Sequence, residues 1–240
     1  MIRRRRFRKC VSLVTALFLS LCSATSFSAE EIRSPRDVRV IWAGPSAHRR
    51  VALTFDDGPR PETTERILDL LHEAHARATF FVVGQRVEAS GERGRELLRR
   101  MIAERHEIGN HSWSHADVSK LSTKEIRHEI ERTQDVLFTA AGIRPRLFRP
   151  PGGGVDMGAV RSLATTGLEA IVMWTIDPGD WTTPGREKIW TRIADQLAPG
   201  SIILLHDIHR ETMDALPGLL DIIQAKGYEL VTVSELVQGE

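Results

Sequence analysis

The sequence predicts an α/β fold built on parallel strands, and two observations carry this prediction. Short apolar runs alternate with longer amphipathic stretches along the chain, which is the pattern of successive β/α units. The side chains suited to chemistry follow the ends of the apolar runs, and in a β/α barrel the carboxyl ends of the strands form the active-site rim. We therefore expect one domain with a single site at that rim.

The elements are predicted in chain order from these two periodicities. Ser122 and Glu125 form a capping box at the start of one helix, and Gly142 and Gly227 stand where helices should end. The apolar runs predict strands at 51–55, 78–83, 107–110, 147–149, 169–175, 201–206 and 229–231. The amphipathic stretches predict helices at 61–75, 92–105, 123–141, 158–166, 187–197 and 213–226.

The first 29 residues are predicted to be a cleavable secretory signal. Arginines at 3–6 precede an apolar stretch at 11–24, and small residues follow up to Ala29. The apolar core is short for a membrane span, although an uncleaved membrane anchor is the alternative. Residues 30–50 are expected to form an extended lead-in that can add an edge strand, and residues 51–240 are expected to form the single folded domain that carries the site.

Composition excludes some partners without choosing a chemistry. The whole chain has a formal charge of +1, but the leader holds six basic residues and no acidic ones. Its removal leaves 27 Lys and Arg against 32 Asp and Glu, so we do not expect nucleic acid as a partner. Cys10 and Cys22 both lie in the leader, so the mature chain is expected to have no disulfide. Export to the periplasm or the medium is the expected location.

Two acidic residues and two histidines form the most informative pattern. Asp56 and Asp57 end an apolar run, and His111 and His115 follow about fifty residues later. Consecutive strand side chains point to opposite faces, so we expect one acid to bind a metal and the other to handle a proton. Two imidazoles and one carboxylate leave zinc an open position for water. Taken alone, the acidic pair is more often a turn with solvated acids, and the histidine pair more often two surface residues on one helical face.

Three further segments carry candidate residues. The loop that begins with Arg149 contains Gly152, whose backbone N–H can approach a substrate closely. A turn at 177–181 contains Asp180 and Trp181, and an apolar strand ends in His206, a candidate general acid. A surface ion pair, a plain turn and a structural histidine are the respective alternatives.

Together the five segments resemble the NodB-homology polysaccharide deacetylases, carbohydrate esterase family four. The family blocks T-F-D-D-G, H-[ST]-x-x-H, R-P-P, D-x-x-D-W and L-x-H appear in family order at 54–58, 111–115, 149–151, 177–181 and 204–206. The resemblance implies a distorted, incomplete (β/α) TIM-like barrel. It also implies metal-dependent hydrolysis of N-acetyl groups on a polysaccharide, which releases acetate.

The resemblance assigns roles to individual residues. Asp57, His111 and His115 would bind a divalent metal, most simply zinc, with cobalt or nickel chemically able. Asp56, held by Arg149, would be the base, and His206, oriented by Asp180, the acid. The remaining roles are an oxyanion contact from the Gly152 N–H and a pocket for the acetyl methyl group, lined by Trp181 and Leu204.

The expected substrate is an amino-sugar polymer, with peptidoglycan N-acetylglucosamine first and chitin-type glycans second. The alternatives are an esterase for O-acetylated xylan, a small-molecule amidase or cyclic-imide hydrolase, and a non-catalytic glycan-binding module. One departure is notable, because the family usually carries an aromatic residue where Gly152 stands. Trp113 and Trp174 are possible sugar-stacking faces, although the apolar residues beside Trp174 favour its burial. The oligomeric state is not predicted.

Overall fold

A computed structural model describes residues 38–154, 163 and 166–238 of the chain. The predicted signal, most of the predicted helix at 158–166 and the last two residues lie outside this part. Of the helices in the described ranges, none combines the length and apolar character that crossing a bilayer requires.

The described residues contain eight strands, and every pairing between them is parallel. The order across the sheet is β1-β6-β5-β4-β3-β2-β7, and β8 pairs with the start of β2. The strands are β1 (Arg39–Ile41), β2 (Arg50–Asp56), β3 (Ala78–Val82), β4 (Glu107–Asn110), β5 (Leu147–Phe148), β6 (Ala170–Val172), β7 (Ile202–His206) and β8 (Glu229–Leu230). All seven predicted strands are present, and the lead-in contributes β1 as an edge strand.

The ring of strands closes through a short segment after β6. The N–H of Thr175 donates to the carbonyl of Ile202 (3.0 Å), and the N–H of Leu204 donates to the carbonyl of Ile176 (2.9 Å). A strand was predicted across 169–175, but only 170–172 pair as a strand, because the chain then leaves β6 to join β7. Because only residues 175–176 complete the ring between β6 and β7, the barrel is incomplete and distorted, as predicted.

Seven helices occur in the described residues, and the Ser122–Glu125 capping box is confirmed. They are α1 (Pro61–Glu73), α2 (Gly84–Ala89), α3 (Gly91–Ala103), α4 (Thr123–Ala141), α5 (Arg186–Gln196), α6 (Arg210–Ala225) and α7 (Val233–Gln238). Gly142 ends α4 with a φ of 72°, as predicted. The sequence did not predict α2 and α7, because six residues are too few to show a helical period. It also placed the start of α6 three residues late, since the first turn of this helix is polar.

Alternation along the strands separates two environments. On β2, Leu53 and Phe55 pack against the helices, and Phe55 stacks on Phe80 with ring centroids 5.1 Å apart. Ala52, which precedes Leu53, belongs to a second buried cluster together with Phe81 and Val172. Thr54 and Asp56 alternate in step with Ala52 and are also buried. The interior of the barrel therefore receives polar side chains from β2, and these lead to its carboxyl edge.

Candidate active site

Two adjacent carboxylates face one cavity at the end of β2. Nε2 of His111 lies 3.7 Å from Oδ2 of Asp56 and 3.6 Å from Oδ1 of Asp57. The expectation that the two acids point to opposite faces is therefore wrong. Asp57 lies beyond the last strand residue and has a φ of 79°, and this left-handed conformation turns its side chain back toward the cavity.

The turn at Gly58, which follows Asp57, packs against the buried side chain of Asp207, a residue that the sequence did not single out. A Cβ added to Gly58 would lie 2.1 Å from Oδ2 of Asp207, so a side chain does not fit there. Thr64 donates its hydroxyl to the same oxygen (2.5 Å). The pKa of Asp207 is raised to about 7, mainly by burial; the Thr64 hydrogen bond opposes the rise and the negative charge of Asp57 adds to it.

The backbone fixes the proton on the first histidine. Nδ1 of His111 lies 2.7 Å from the carbonyl oxygen of Arg149. Because a carbonyl oxygen only accepts, Nδ1 carries the proton and Nε2 keeps its lone pair. Nε2 of His115 lies 2.9 Å from Oδ1 of Asp57. The ligand atoms of Asp57, His111 and His115 all lie within 4.8 Å of one another.

This triad fits a divalent metal ion. Within the described part of the chain, no group donates a hydrogen bond to the buried Oδ1 of Asp57, although both imidazoles lie beside it. Burial alone would raise the pKa of Asp57, but the two imidazoles beside it, His111 and His115, outweigh burial and hold this pKa well below its ordinary value. An ionised carboxylate and two neutral imidazoles are a common ligand set for zinc.

Arg149 is fully buried inside the barrel and holds Asp56. Its Nη1 donates to Oδ1 of Asp56 (2.8 Å) and to the hydroxyl of Thr54 (2.7 Å). Its other N–H groups donate to the carbonyls of Val172 and Met173, both at 3.1 Å. Burial lowers the pKa of Arg149, and the negative charge of Asp56 opposes this. Thr54 was missed as a site residue, although its place two residues before Asp56 on β2 was a usable signal.

His206 ends β7 and is paired with buried Asp180. Nδ1 of His206 lies 2.8 Å from Oδ1 of Asp180, and the His206 N–H donates to Oδ2 at the same distance. The hydroxyl of Thr212, another residue that was missed, donates to Oδ2 (2.6 Å). Burial alone would lower the pKa of His206, but the hydrogen bond and charge of Asp180, helped by Asp56 and Asp57, raise it to about 9.

These groups surround a cavity of about 350 Å³. Eight of the ten predicted site residues line it, and Arg149 and Asp180 lie behind the residues that they hold. The lining consists of Asp56, Asp57, His111, His115, Pro150, Gly152, Trp174, Asp177, Trp181, Leu204 and His206. Pro150 and Asp177 were not assigned a role, although both lie inside the recognised blocks.

The two tryptophans exchange the positions expected for them. Trp174 lines the cavity, whereas Trp113 is buried, with 6% of its surface exposed. The Cζ atom of Arg132 lies over the Trp113 ring, 3.6 Å from the ring centroid. A Cβ added to Gly153 would lie 2.7 Å from the Trp174 ring. A Cβ added to Gly152, which has a φ of 67°, would meet no atom within 4 Å. The loop therefore leaves open space at Gly152 and lets the Trp174 ring approach closely.

Comparison with known proteins gives consistent matches. The family model described as polysaccharide deacetylase matches residues 43–171. Peptidoglycan-N-acetylmuramic acid deacetylase PdaC of Bacillus subtilis is 42% identical over 186 residues, which are 78% of this chain and 38% of PdaC. The chain thus spans about two fifths of that relative's length. A chitooligosaccharide deacetylase of a Bradyrhizobium species is 35% identical, over 83% of this chain and 95% of the relative.

A solved structure agrees in fold as well as in sequence. The crystal structure of the Bc1960 peptidoglycan N-acetylglucosamine deacetylase superposes with a TM-score of 0.77 at 31% identity, covering 84% of this chain and 94% of the other. The family match covers more than half of the chain, and the structural match covers 84% of it. The chain therefore belongs to the polysaccharide deacetylase family.

Proposed function

We propose that this protein is a metal-dependent deacetylase that hydrolyses N-acetyl groups of amino-sugar residues in a polysaccharide and releases acetate. One observation carries the proposal: the Asp57, His111 and His115 triad shares a cavity with the base candidate Asp56 and the acid candidate His206. The names of the similar proteins support peptidoglycan as the first substrate and chitin-type glycans as the second.

The triad would hold the ion through Oδ1 of Asp57 and Nε2 of each histidine. When bound, a divalent ion supplies Lewis acidity, which polarises an acyl carbonyl and eases the deprotonation of water. Zinc is the simplest assignment for a ligand set with two nitrogens, and cobalt or nickel suit it as well.

Asp56 is placed to accept the proton of the attacking water. Arg149 binds its Oδ1, while its Oδ2 faces His111 across the cavity. The guanidinium cannot accept a proton, so it orients the carboxylate without competing for the proton that the carboxylate takes up.

His206 is placed to protonate the departing amine. With a pKa raised to about 9, its imidazole is a cation at neutral pH and has a proton to give. Cleavage of an amide needs this proton, because an amine leaves far more readily than its anion. Trp181, Leu204 and Trp174 supply the apolar walls for the acetyl group and the sugar, and the Gly152 N–H is the proposed donor to the oxyanion.

Acetate release tests the proposal. Metal-loaded protein is incubated with peptidoglycan, chitooligosaccharides and acetylxylan, and acetate is measured against the Asp56→Asn variant. We expect release from an N-acetylated glycan that stops when the metal is chelated. Release from acetylxylan alone would favour the esterase, and glycan binding without acetate release would favour a binding module.

Export is a separate part of the proposal. The arginines before the apolar stretch and the small residues after it support a cleaved signal and a mature protein that begins between Thr25 and Glu30. The protein would then act in the periplasm or outside the cell. N-terminal sequencing of protein from the producing cell tests this, and an intact Met1 start in the membrane fraction would favour the anchored alternative.

A further inference from the structure

The loop between the two histidine ligands is held from outside the cavity by a residue of α4. Oε2 of Glu129 accepts the backbone N–H groups of Trp113 (2.9 Å) and Ser114 (2.8 Å). Its Oε1 accepts the hydroxyl of Ser114 (3.0 Å). One carboxylate therefore binds three donors on the two residues that immediately precede His115. Glu129 does not line the cavity.

The conformation of this loop needs such support. Ser112 and His115 have φ values of 65° and 61°, and residues with side chains adopt this left-handed region only where their surroundings hold them there. Asn110 accepts the Ser112 N–H through its side chain (2.9 Å), which holds the start of the loop. At the other end, Glu129 accepts the two N–H groups that lead into His115.

His115 depends on the loop more than His111 does. The side chain of His111 is 2% exposed and is bound at Nδ1 by a backbone carbonyl, whereas the side chain of His115 is 42% exposed. Its ring packs edge-on against the His111 ring, with centroids 5.1 Å apart, and its remaining surface is largely open to solvent. Its distance from Asp57 is therefore set mainly by the backbone that carries it.

We infer that Glu129 is a positioning residue for the metal site, and this inference rests on the proposed metal-binding role of the triad. By fixing the backbone of Trp113 and Ser114, Glu129 sets the place of His115 Nε2 relative to Asp57 Oδ1. Outer residues that orient metal ligands typically change metal affinity ~10–100-fold when they are removed. Glu129 acts here through the backbone, without contacting the imidazole.

Zinc affinity of metal-stripped protein, measured by competition with a chelating dye, tests the inference. We expect Glu129→Ala to weaken zinc binding by ~10–100-fold. Glu129→Gln keeps an acceptor oxygen and should retain much of the affinity. Glu131→Ala is the matched control, since Glu131 lies exposed on the same helix, and it should bind zinc like the unchanged protein.

Hydrogen exchange on the metal-free protein gives a second readout. The amides of Trp113 and Ser114 should exchange faster in Glu129→Ala than in Glu131→Ala, while the amides of the β-strands keep their protection. If Glu129→Ala fails to fold, Glu129→Asp replaces it in the same two measurements. This variant keeps the charge but draws the carboxylate back by one methylene from the Trp113 and Ser114 donors, so zinc binding should again weaken and the two amides should again exchange faster. Zinc affinity in Glu129→Ala within twofold of the unchanged protein would overturn the inference, as would failure of the unchanged protein to bind zinc. Tight zinc binding that depends on Glu129, without acetate release from any glycan, would instead overturn only the proposed function.

Discussion

The two ends of β4 each carry a buried histidine beside a carboxylate. His106 directly precedes the strand, and its Nε2 lies 3.7 Å from Oε2 of Glu104. His111 directly follows the strand, and its Nε2 lies 3.6 Å from Oδ1 of Asp57. By burial and distance alone, the two ends are nearly indistinguishable, yet of these two histidines only His111 belongs to the candidate metal-binding group.

The hydrogen bond on the other ring nitrogen separates them. Nδ1 of His106 accepts the N–H of Ala78 (3.1 Å), so the proton of the neutral ring is on Nε2, which cannot then bind a metal. Burial lowers the pKa of His106 to about 4, although Glu104 opposes this, so the ring is neutral at pH 7. At His111 a carbonyl takes the place of the N–H, and the tautomer is reversed. The backbone partner of each buried histidine thus decides whether its Nε2 is free to bind a metal.

The largest difference in bound metal and activity is expected between two single variants, one at each end of β4. His111→Ala should lose most of the bound metal and all measurable acetate release, since two protein ligands hold a labile ion poorly. His106→Ala should keep its bound metal and its acetate release. It should lose about 1–3 kcal/mol of folding stability, because the Ala78 N–H is left without its acceptor. Elemental analysis and thermal unfolding measure the two outcomes. Stoichiometric metal in His111→Ala would remove this distinction between the two ends.

Replacing a carboxylate by an amide should lower turnover at one end of β4 and not at the other. Asp56→Asn preserves size but cannot accept a proton, so turnover should fall by ~10²–10⁴ while the bound metal persists. Glu104→Gln makes the same chemical change at the other end of β4 and should leave turnover unchanged. Steady-state acetate release and metal content are measured together. Near-normal turnover in Asp56→Asn would transfer the role of base to another group.

A smaller effect is expected on the pH profile. The pKa of His206 is raised to about 9, opposite in direction to the shift at His106, because Asp180 contacts it directly. Activity that needs protonated His206 is lost as pH rises through this pKa. Asp180→Asn removes the negative charge, lowers the pKa of His206 and should move the alkaline limb down by ~1–3 pH units. An unmoved alkaline limb would show that a different group sets it, and Glu104→Gln provides the matched profile.

The fold and the residues that contact the cavity were largely predictable, because each is encoded locally. An apolar run followed by a polar residue indicates both the strand and its carboxyl edge, and that rule placed Asp56, His111 and His206 correctly. The same rule misjudged Asp57, since a left-handed φ at a non-glycine residue is set by the packing of the turn. Alternation along the strand does not extend past its last residue.

Arg149 and Asp180 were predicted as supporting residues only through the family resemblance, and other supporting residues were missed because their partners are distant in sequence. Thr54 and Arg149 are 95 positions apart, and Thr64 and Asp207 are 143 apart. Glu129 looks like any other charged residue of an amphipathic helix until the loop at 113–114 is placed against it. The sequence shows that Gly152 lacks the aromatic side chain usual at this position, but only the structure places the Trp174 ring at the same cavity.

Asp207, beneath the Gly58 turn, links the stability of the fold to protons and to metal. Its pKa rises from an ordinary 3.8 to about 7 on folding, so the folded chain takes up a proton in this interval. Its contribution to stability is therefore complete below about pH 4 and is lost as the pH rises to about 7. Thermal unfolding of metal-free protein from pH 4 to 8 should show this decline, and Asp207→Asn should flatten it.

Metal uptake should act on the same proton. Because the negative charges of Asp57 and Asp56 contribute to the raised pKa, a cation that neutralises them favours the ionised form of Asp207. Binding of the ion would then release the proton to solvent, and calorimetry in buffers of different ionisation enthalpy measures that release. Acid conditions would thus favour the metal-free fold, and neutral conditions the loaded one.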